Sequence, residues 1–372
     1  MEMNRQSTPK DFSEFVRIRV EGMKNGSIRR KGNRYSRQTI SSYMGFHSIL
    51  TWFEAFHPLS WENINDAMIE EFICFLEERG YLKKTINKNL AIMRSMLNCA
   101  LSEGCHFDDT ILGRFPQLQV KKEDASVGIY LTEEELQALF EMKLTKIEEK
   151  ARDVFLVGCY TSQRFSDYSR IDRSCFSVND GIVIITLTQQ KTGREVSIPV
   201  LNDNLLHIFE RWNYKLPAIS VSRLNFNMKK ILMRLSESVP SLRREILTRL
   251  TVYKGRMESR IDKQFRHTAD GRVYLPRYMM VSSHTARRTG ITLMYLAKVL
   301  DTREMMSISG HKTESVFNEY IKISGIEMAT EIARKIRDAA TVHVTKSNLI
   351  QQLEELSVDQ LSALVEASKK MY

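Results

Sequence analysis

The stretch SGHKTESVFNEY (residues 309–320) sets a histidine directly after a glycine and a tyrosine nine residues later, on what reads as a helix. A tyrosine on an amphipathic helix is ordinarily half-buried packing. The chemical alternative is Tyr320 as a nucleophile with His311 arranged beside it. The stretch alone leaves both readings open, and the choice turns on what the rest of the chain can place around it.

The chain of 372 residues exceeds one typical core and fits two domains with a tail. With 42% hydrophobic and 27% charged residues, it has the composition of a soluble globular protein. No apolar run approaches the ~20 residues that span a bilayer. The N-terminal MEMNRQSTPKDF lacks the apolar stretch of a signal peptide, so the expectation is a cytoplasmic protein with no membrane association. Cys74, Cys99, Cys105, Cys159 and Cys175 form no CxxC pair. Cys99, Cys105 and His106 have the wrong spacing for a zinc site, so no metal is expected and the thiols read as free.

Lys and Arg number 55 against 45 Asp and Glu, a net charge of +10, which favours an anionic partner, nucleic acid first. The excess is clustered. RRKGNRYSR (29–37) carries Arg29, Arg30, Lys31, Arg34 and Arg37 without an acid. KKTINK (83–88) opens a helix with Lys83, Lys84 and Lys88, and Arg94 follows. These nine are the candidate DNA-binding residues, although each cluster alone also fits a solvated basic face.

Residues 9–105 read as all-α, a bundle of four helices. DFSEFVRIRVEGM is the first. RQTISSYMGFHSILTWFEAF repeats apolar residues at Ile40, Tyr43, Met44, His47, Leu50 and Phe53. NDAMIEEFICFLEERG begins with cap-type residues and stops at Gly80. Thr85 leads the last, with Ile86, Leu90, Met93 and Leu97 on one face. The charged stretch LQVKKEDASVGIY (118–130) reads as a linker, and Thr132 with Glu135 forms a capping-box signature that opens a second domain. In NDGIVIITLTQQKTGREVSIPV (179–200), Val183, Ile185 and Leu187 alternate, as do Val196, Ile198 and Val200 across a Thr-Gly turn. Lys191 then sits at a hairpin tip. Residues 203–245 read as helical, 247–261 as a second hairpin, and the chain from His284 as helical again. An amphipathic tail helix at 347–370 stands apart from the body.

Other residues fit one chemistry with Tyr320. Arg164 in CYTSQRFSDYSRI (159–171) leaves a buried helix with Asp167 three residues on, so the two would share a helical face. An ordinary salt bridge gives the same spacing, but a planar guanidinium also suits a phosphate clamp. His284 and Arg287 lie three apart at a helix start, where both could point into one site beside the positive helix end. Two guanidiniums could neutralise charge building on a phosphate's non-bridging oxygens. A phenol, titrating near ~10, attacks only when its proton is removed or its anion stabilised. Histidines can do the proton work, and a hairpin lysine can protonate a departing oxygen. Arginines in this arrangement stand where Mg²⁺ would otherwise stabilise charge, so no cofactor is expected.

The ordered set resembles that of the tyrosine recombinases, the phage integrase family. The motifs are TSQR (161–164), QQKTG (189–193), HTAR (284–287) and GHKTESVFNEY (310–320), with Asp167 matching an acidic residue three places after the first Arg. The resemblance implies a mainly α fold with small β-hairpins, closing around double-stranded DNA as a C-shaped clamp. It implies a SAM-like core-binding domain at 1–120, a linker at 121–129 and a catalytic domain at 130–340. A tail at 341–372 would dock between subunits. It further implies Tyr320 as nucleophile, a 3′-phosphotyrosine, and exchange by a 5′-hydroxyl. Arg164, Arg287 and His311 would bind the phosphate, His284 would act as acid and base, and Lys191 as general acid. The assembly implied is a homotetramer on paired sites, monomeric or weakly associated without DNA.

Ser162 stands where the family usually has Gly, and Arg288 where many members have His. The long interval holding 248–278 looks most like integrases of Bacteroides-type mobile elements, and is expected to add a DNA-contacting hairpin. Two alternatives remain: a type IB topoisomerase that rejoins the same strand, and an accessory DNA-binding protein that has lost catalysis.

Overall fold

The computed structural model describes residues 9–121, 127–249, 265–270, 272–323, 325–354 and 356–369. They form two compact units. One comprises the chain through Val127 together with Arg244–Arg277, and the other comprises Gly128–Arg243 and Tyr278 onward. The division falls within the stretch read as a linker. The sequence reading keeps 244–277 in the second domain, whereas by contact these residues group with the first unit.

In the first unit, helix α1 (Phe12–Asn25) starts where the Asp11 carboxylate accepts from Glu14 N and ends at Gly26, whose φ of 85° suits glycine. A small ribbon follows, β1 (Arg29–Arg30) antiparallel to β2 (Asn33–Arg34). Its turn places Lys31 and Gly32 at positive φ. The all-α reading missed this ribbon, because two-residue strands leave no periodicity. Helix α2 (Arg37–Glu54) is capped by Ser36, α3 (Asp66–Glu78) by Asn65, and α4 (Lys83–Ser102) has no side-chain cap. Helix α4 therefore begins two residues before Thr85. Its face of Ile86, Leu90, Met93 and Leu97 is buried as the spacing predicts. On α2 the stripe rotates: Leu50 and Phe53 are buried, but Met44 is 42% exposed and Phe46 and Ile49 pack inward instead. These residues join Phe12, Phe15, Phe72 and Leu76 in one apolar core.

The second unit opens with α5 (Glu133–Glu141), where Thr132 and Glu135 form the expected capping box. Next comes α6 (Lys146–Thr161), buried along most of its length. It stops at Ser162, which adopts a left-handed conformation with φ 58°. The short α7 (Phe165–Tyr168) follows. Three strands, β3 (Phe176–Asn179), β4 (Ile182–Thr188) and β5 (Glu195–Pro199), form an antiparallel sheet in that order. Ile185 pairs with Ile198 and Leu187 with Val196, so the alternating side chains line one face. Strand β3 escaped the sequence reading because its residues are mostly exposed.

Residues 203–245 are not continuously helical. Helices α8 (Asp203–Arg211) and α9 (Val221–Leu235) are separated, and the chain then enters β6 (Glu245–Thr248). Strand β6 pairs with β7 (Val273–Pro276), from Glu245 against Pro276 to Thr248 against Val273. A second hairpin thus exists in the first unit, with its return strand well beyond 247–261. Residues 250–261 of that expected hairpin lie outside the described residues.

The rest is helical: α10 (Ser283–Ala297), α11 (Thr302–Ser309), α12 (Glu314–Asn318), α13 (Gly325–Glu354) and α14 (Val358–Lys369). The tail is therefore not one helix starting near 347. Helix α13 runs through that point, and Ser357 opens α14 by accepting from Gln360 N. Helix α6 packs against α9 and α10. The α6–α10 approach requires Gly290, since a Cβ there would stand 2.1 Å from the Cys159 carbonyl oxygen.

Candidate active site

Arg287 anchors the site from the fifth residue of α10. Ser282 and Thr285 form that helix's capping box, which fixes where it begins. The Arg287 side chain is fully buried. Its Nη1 donates to Ser162 O and its Nη2 to Ser309 O, both at 2.9 Å. Nη2 also contacts His311 Nε2 at 2.8 Å. Burial of an uncompensated cation is costly, and here carbonyl and imidazole acceptors hold it. Burial, then Arg164, push its pKa down to about 10, with Tyr320 and Asp167 opposing, so it stays charged at neutral pH. Its Nε–H is buried without a partner. That leaves one donor of the guanidinium unused.

The tautomer of His311 follows from its neighbours. A guanidinium only donates, so Nε2 accepts. The Ser309 hydroxyl gives its proton to Met305 O at 2.8 Å, so at the 2.8 Å contact with His311 Nδ1 it accepts. His311 is therefore neutral with its proton on Nδ1. Burial, then Arg287 and Arg164, hold its pKa down at about 3. In this arrangement His311 presents an acceptor that orients Arg287, and its Nε2 is not free to donate to a phosphate.

Tyr320 lies in the turn just past α12, which ends at Asn318, and not within a helix. Its amide donates to Phe317 O, and its carbonyl accepts from Thr292 Oγ1. The half-buried ring packs against the apolar group of Ile291, Met305 and Phe317. Ring centroids lie 4.7 Å from His311 and 5.2 Å from His284. The Arg287 guanidinium carbon is 5.1 Å from the Tyr320 centroid. The packing reading and the chemical reading thus describe the same side chain. His284 is exposed, so it is only partly desolvated. That partial burial, then Arg288, Arg287, Arg164 and Lys191, hold its pKa down at about 4.

Arg164 is the residue that precedes α7, because the left-handed Ser162 breaks the chain direction between α6 and α7. Arg164 itself is extended, at φ −77° and ψ 154°, so it does not share a helical face with Asp167. Arg164 Nη1 instead donates to Gln189 Oε1 at 3.2 Å. Asp167 accepts from the backbone of Gln190 at 2.8 Å and pairs with Arg170 at 3.5 Å. Asp167 thereby braces the β4–β5 turn. Lys191 sits exposed in that turn, at the hairpin tip. The structure accordingly brings Arg287, His311 and Tyr320 into mutual contact and sets His284 against Tyr320, with Arg164 acting through charge on Arg287 and both histidines and Lys191 on His284. Among the described residues, no group of three or more His, Cys, Asp or Glu side chains is placed to hold a metal ion.

Sequence reasoning missed Gln163, Gln189, Arg194 and Ser309. Arg194 donates to His311 O at 2.9 Å, tying the hairpin to the loop of His311. The glutamines flank quoted motifs but carry no signal of their own, since a Gln beside a turn is normally solvated.

In the first unit the basic candidates lie at the surface. Arg29, Arg30, Lys31 and Arg34 are exposed on the β1–β2 ribbon, and Arg37 is the first residue of α2. Lys84, Lys88 and Arg94 are exposed on α4, whereas Lys83 is partly buried. Lys88 Nζ reaches Ser42 Oγ on α2 at 3.1 Å. A cleft between these helices is lined by Gln38, Ser41, Ser42, Trp52 and Lys88.

Two family profiles match this chain. The phage integrase family covers residues 130–325, and the phage integrase N-terminal SAM-like domain covers residues 30–104. The fold is similar to XerH site-specific recombinase bound to a palindromic difH substrate, at 12% identity and TM-score 0.55, over 89% of this chain and 97% of that one. It is similar to the Tn1549 transposon integrase in complex with a circular intermediate DNA, at 14% identity and TM-score 0.53, over 87% and 99%. A lambda integrase tetramer bound to a Holliday junction aligns at 15% identity and TM-score 0.53, over 82% and 76%. No curated protein sequence matches the chain.

Proposed function

The chain belongs to the phage integrase family, the site-specific tyrosine recombinases, and from this premise we propose that Tyr320 is the nucleophile of strand cleavage. The observation that carries the reading is the convergence on its ring of His284, Arg287 and His311 from two separate segments. Tyr320 Oη attacks a backbone phosphorus in line with the O5′ bond. The P–O5′ bond breaks, a 3′-phosphotyrosine forms, and Lys191 gives a proton to O5′. Arg287, through its unpaired Nε–H, and Arg164 neutralise the non-bridging oxygens. His284, held neutral, takes the phenol proton. A 5′-hydroxyl of the partner strand then attacks the same phosphorus and frees Tyr320.

Double-stranded DNA is the partner. The ribbon of Arg29, Arg30, Lys31 and Arg34, with Arg37, Lys84, Lys88 and Arg94, contacts mainly phosphates, which position without specifying sequence. Two copies on each of two sites make the active tetramer, and α14 docks into a neighbouring copy through Leu364 and Val365, both about half exposed. Deletion of 349–372 is then expected to spare single-site binding and weaken pairing of sites, as read by native gels. The long interval before His284 favours a mobile-element integrase of the Bacteroides type acting in the cytoplasm.

The test is a nicked suicide duplex carrying sequence from beside the gene, with EDTA present, resolved on a denaturing gel. Wild type is expected to form a covalent adduct and Tyr320→Phe to bind without forming one. Wild-type binding with no adduct would replace this reading with that of an accessory binder.

A further inference from the structure

Gln189 follows directly on β4, two residues before Lys191, and is fully buried. All four of its side-chain hydrogen-bonding positions are used. Nε2 donates to Gln163 Oε1 at 2.7 Å and to Ser309 O at 3.0 Å. Oε1 accepts from Thr192 Oγ1 at 2.8 Å and from Arg164 Nη1 at 3.2 Å. Its backbone closes the turn: the amide donates to Arg194 O, and the carbonyl accepts from Gly193 N. Gln163 extends the junction by donating to Thr161 O and Ile308 O. One amide therefore joins the Arg164 segment, the Lys191 turn and the loop leading to His311. Gly310 makes room for it, since a Cβ there would stand 2.4 Å from Gln189 Nε2.

A lysine exposed on a turn has four rotatable bonds, so its delivery of a proton depends on how firmly the turn is held. We propose that Gln189 is a positioning residue for strand cleavage, which holds the Lys191 turn and the Arg164 guanidinium in register through a single buried amide. An amide is required. A carboxylate at this position would face the Gln163 and Ser309 oxygens with no proton to give, and would draw the charge of Arg164 away from the phosphate.

This inference rests on Lys191 being the proton donor to O5′, and the experiment separates the two. The substrate is a duplex on which wild type forms its adduct, made with oxygen or with sulfur at the bridging 5′ position. A thiolate leaves without being protonated, so Lys191→Ala is expected to be slow on oxygen and restored on sulfur. Lys191→Ala equally slow on both would remove the reading of Lys191, and this inference with it. Given that rescue, Gln189→Met, close to isosteric but without the hydrogen bonds, is expected to slow cleavage on the order of 10–100-fold on oxygen and far less on sulfur. Equal slowing on both substrates, or no slowing, would overturn the proposal. Where Gln189→Met does not fold, judged by melting, Thr192→Val removes one donor to Oε1 and is expected to show the same oxygen-selective defect at smaller size.

Discussion

In the helical unit the side chains removed from water are nearly all hydrocarbon, from Phe12 and Phe15 through Leu50 and Phe72 to Met93 and Leu97. In the second unit Arg287, Asp153, Asp167, Gln163, Gln189 and His311 are buried alongside the apolar residues. Apolar burial has no direction, so a period of 3.6 residues is enough to arrange it. Polar burial is directional, and each group requires a partner in a set geometry. The first unit is therefore built by pattern, and the second by pairings between distant segments.

The largest contrast is expected in chemistry. Arg287→Ala should lower the rate of adduct formation on the order of 10²–10³-fold, while Leu50→Ala should leave the rate of the bound complex unchanged. Single-turnover cleavage on saturating protein measures both. Comparable losses would mean that the units are not separable in function.

Stability probes the same division. Asp153 accepts from Arg152, Arg211 and Trp212, each at 2.8 Å. Asp153→Ala removes the carboxylate held against the buried Arg152 at hydrogen-bond distance and is expected to cost ~3–5 kcal/mol. Leu50→Ala in the other unit should cost ~2–5 kcal/mol through the cavity it leaves. Denaturant curves read at two probes, one in each unit, would show whether each loss stays in its own unit.

Acid should act mainly on the second unit. His284 and His311 are held at about 4 and about 3, below the ordinary histidine value of 6.5. Their neutral forms favour the folded state fully above 6.5, and this contribution is lost as pH falls toward the folded values. The second unit is expected to melt at least about 2–4 °C lower at pH 4.5 than at pH 7, the equivalent of ~1 kcal/mol. Replacing His311 with Asn should shrink that difference. The smallest effect belongs to the basic ribbon: Arg30→Gln should reduce the salt dependence of DNA binding by about one unit of slope and leave cleavage of bound DNA unchanged.

Legibility in the sequence follows the same division. The four helices of the first unit and the β4–β5 hairpin were readable because caps, glycine stops and alternation are local. The residues around Tyr320 were readable as a set of chemistries at familiar spacings. Their pairings were not. Helical spacing assigns Asp167 to Arg164, but the helix stops at Ser162, φ 58°, and Arg164 itself is extended ahead of the short α7 that carries Asp167. Gln189 makes contacts 25 and 120 residues away in sequence, with Arg164 and Ser309, and no local rule anticipates them.

Helix α13 has 30 residues. At 1.5 Å rise per residue it spans ~45 Å. Its first residue, Gly325, follows Tyr320 by only five positions, so the tail is mounted on a lever whose short arm is the Tyr320 loop. A tilt of ~10° at the base sweeps the far end by ~8 Å on that length. By the same ratio, holding the far end still confines the base to a small fraction of its free travel. A grip on α14 would thereby be geared down onto the loop that carries the phenol.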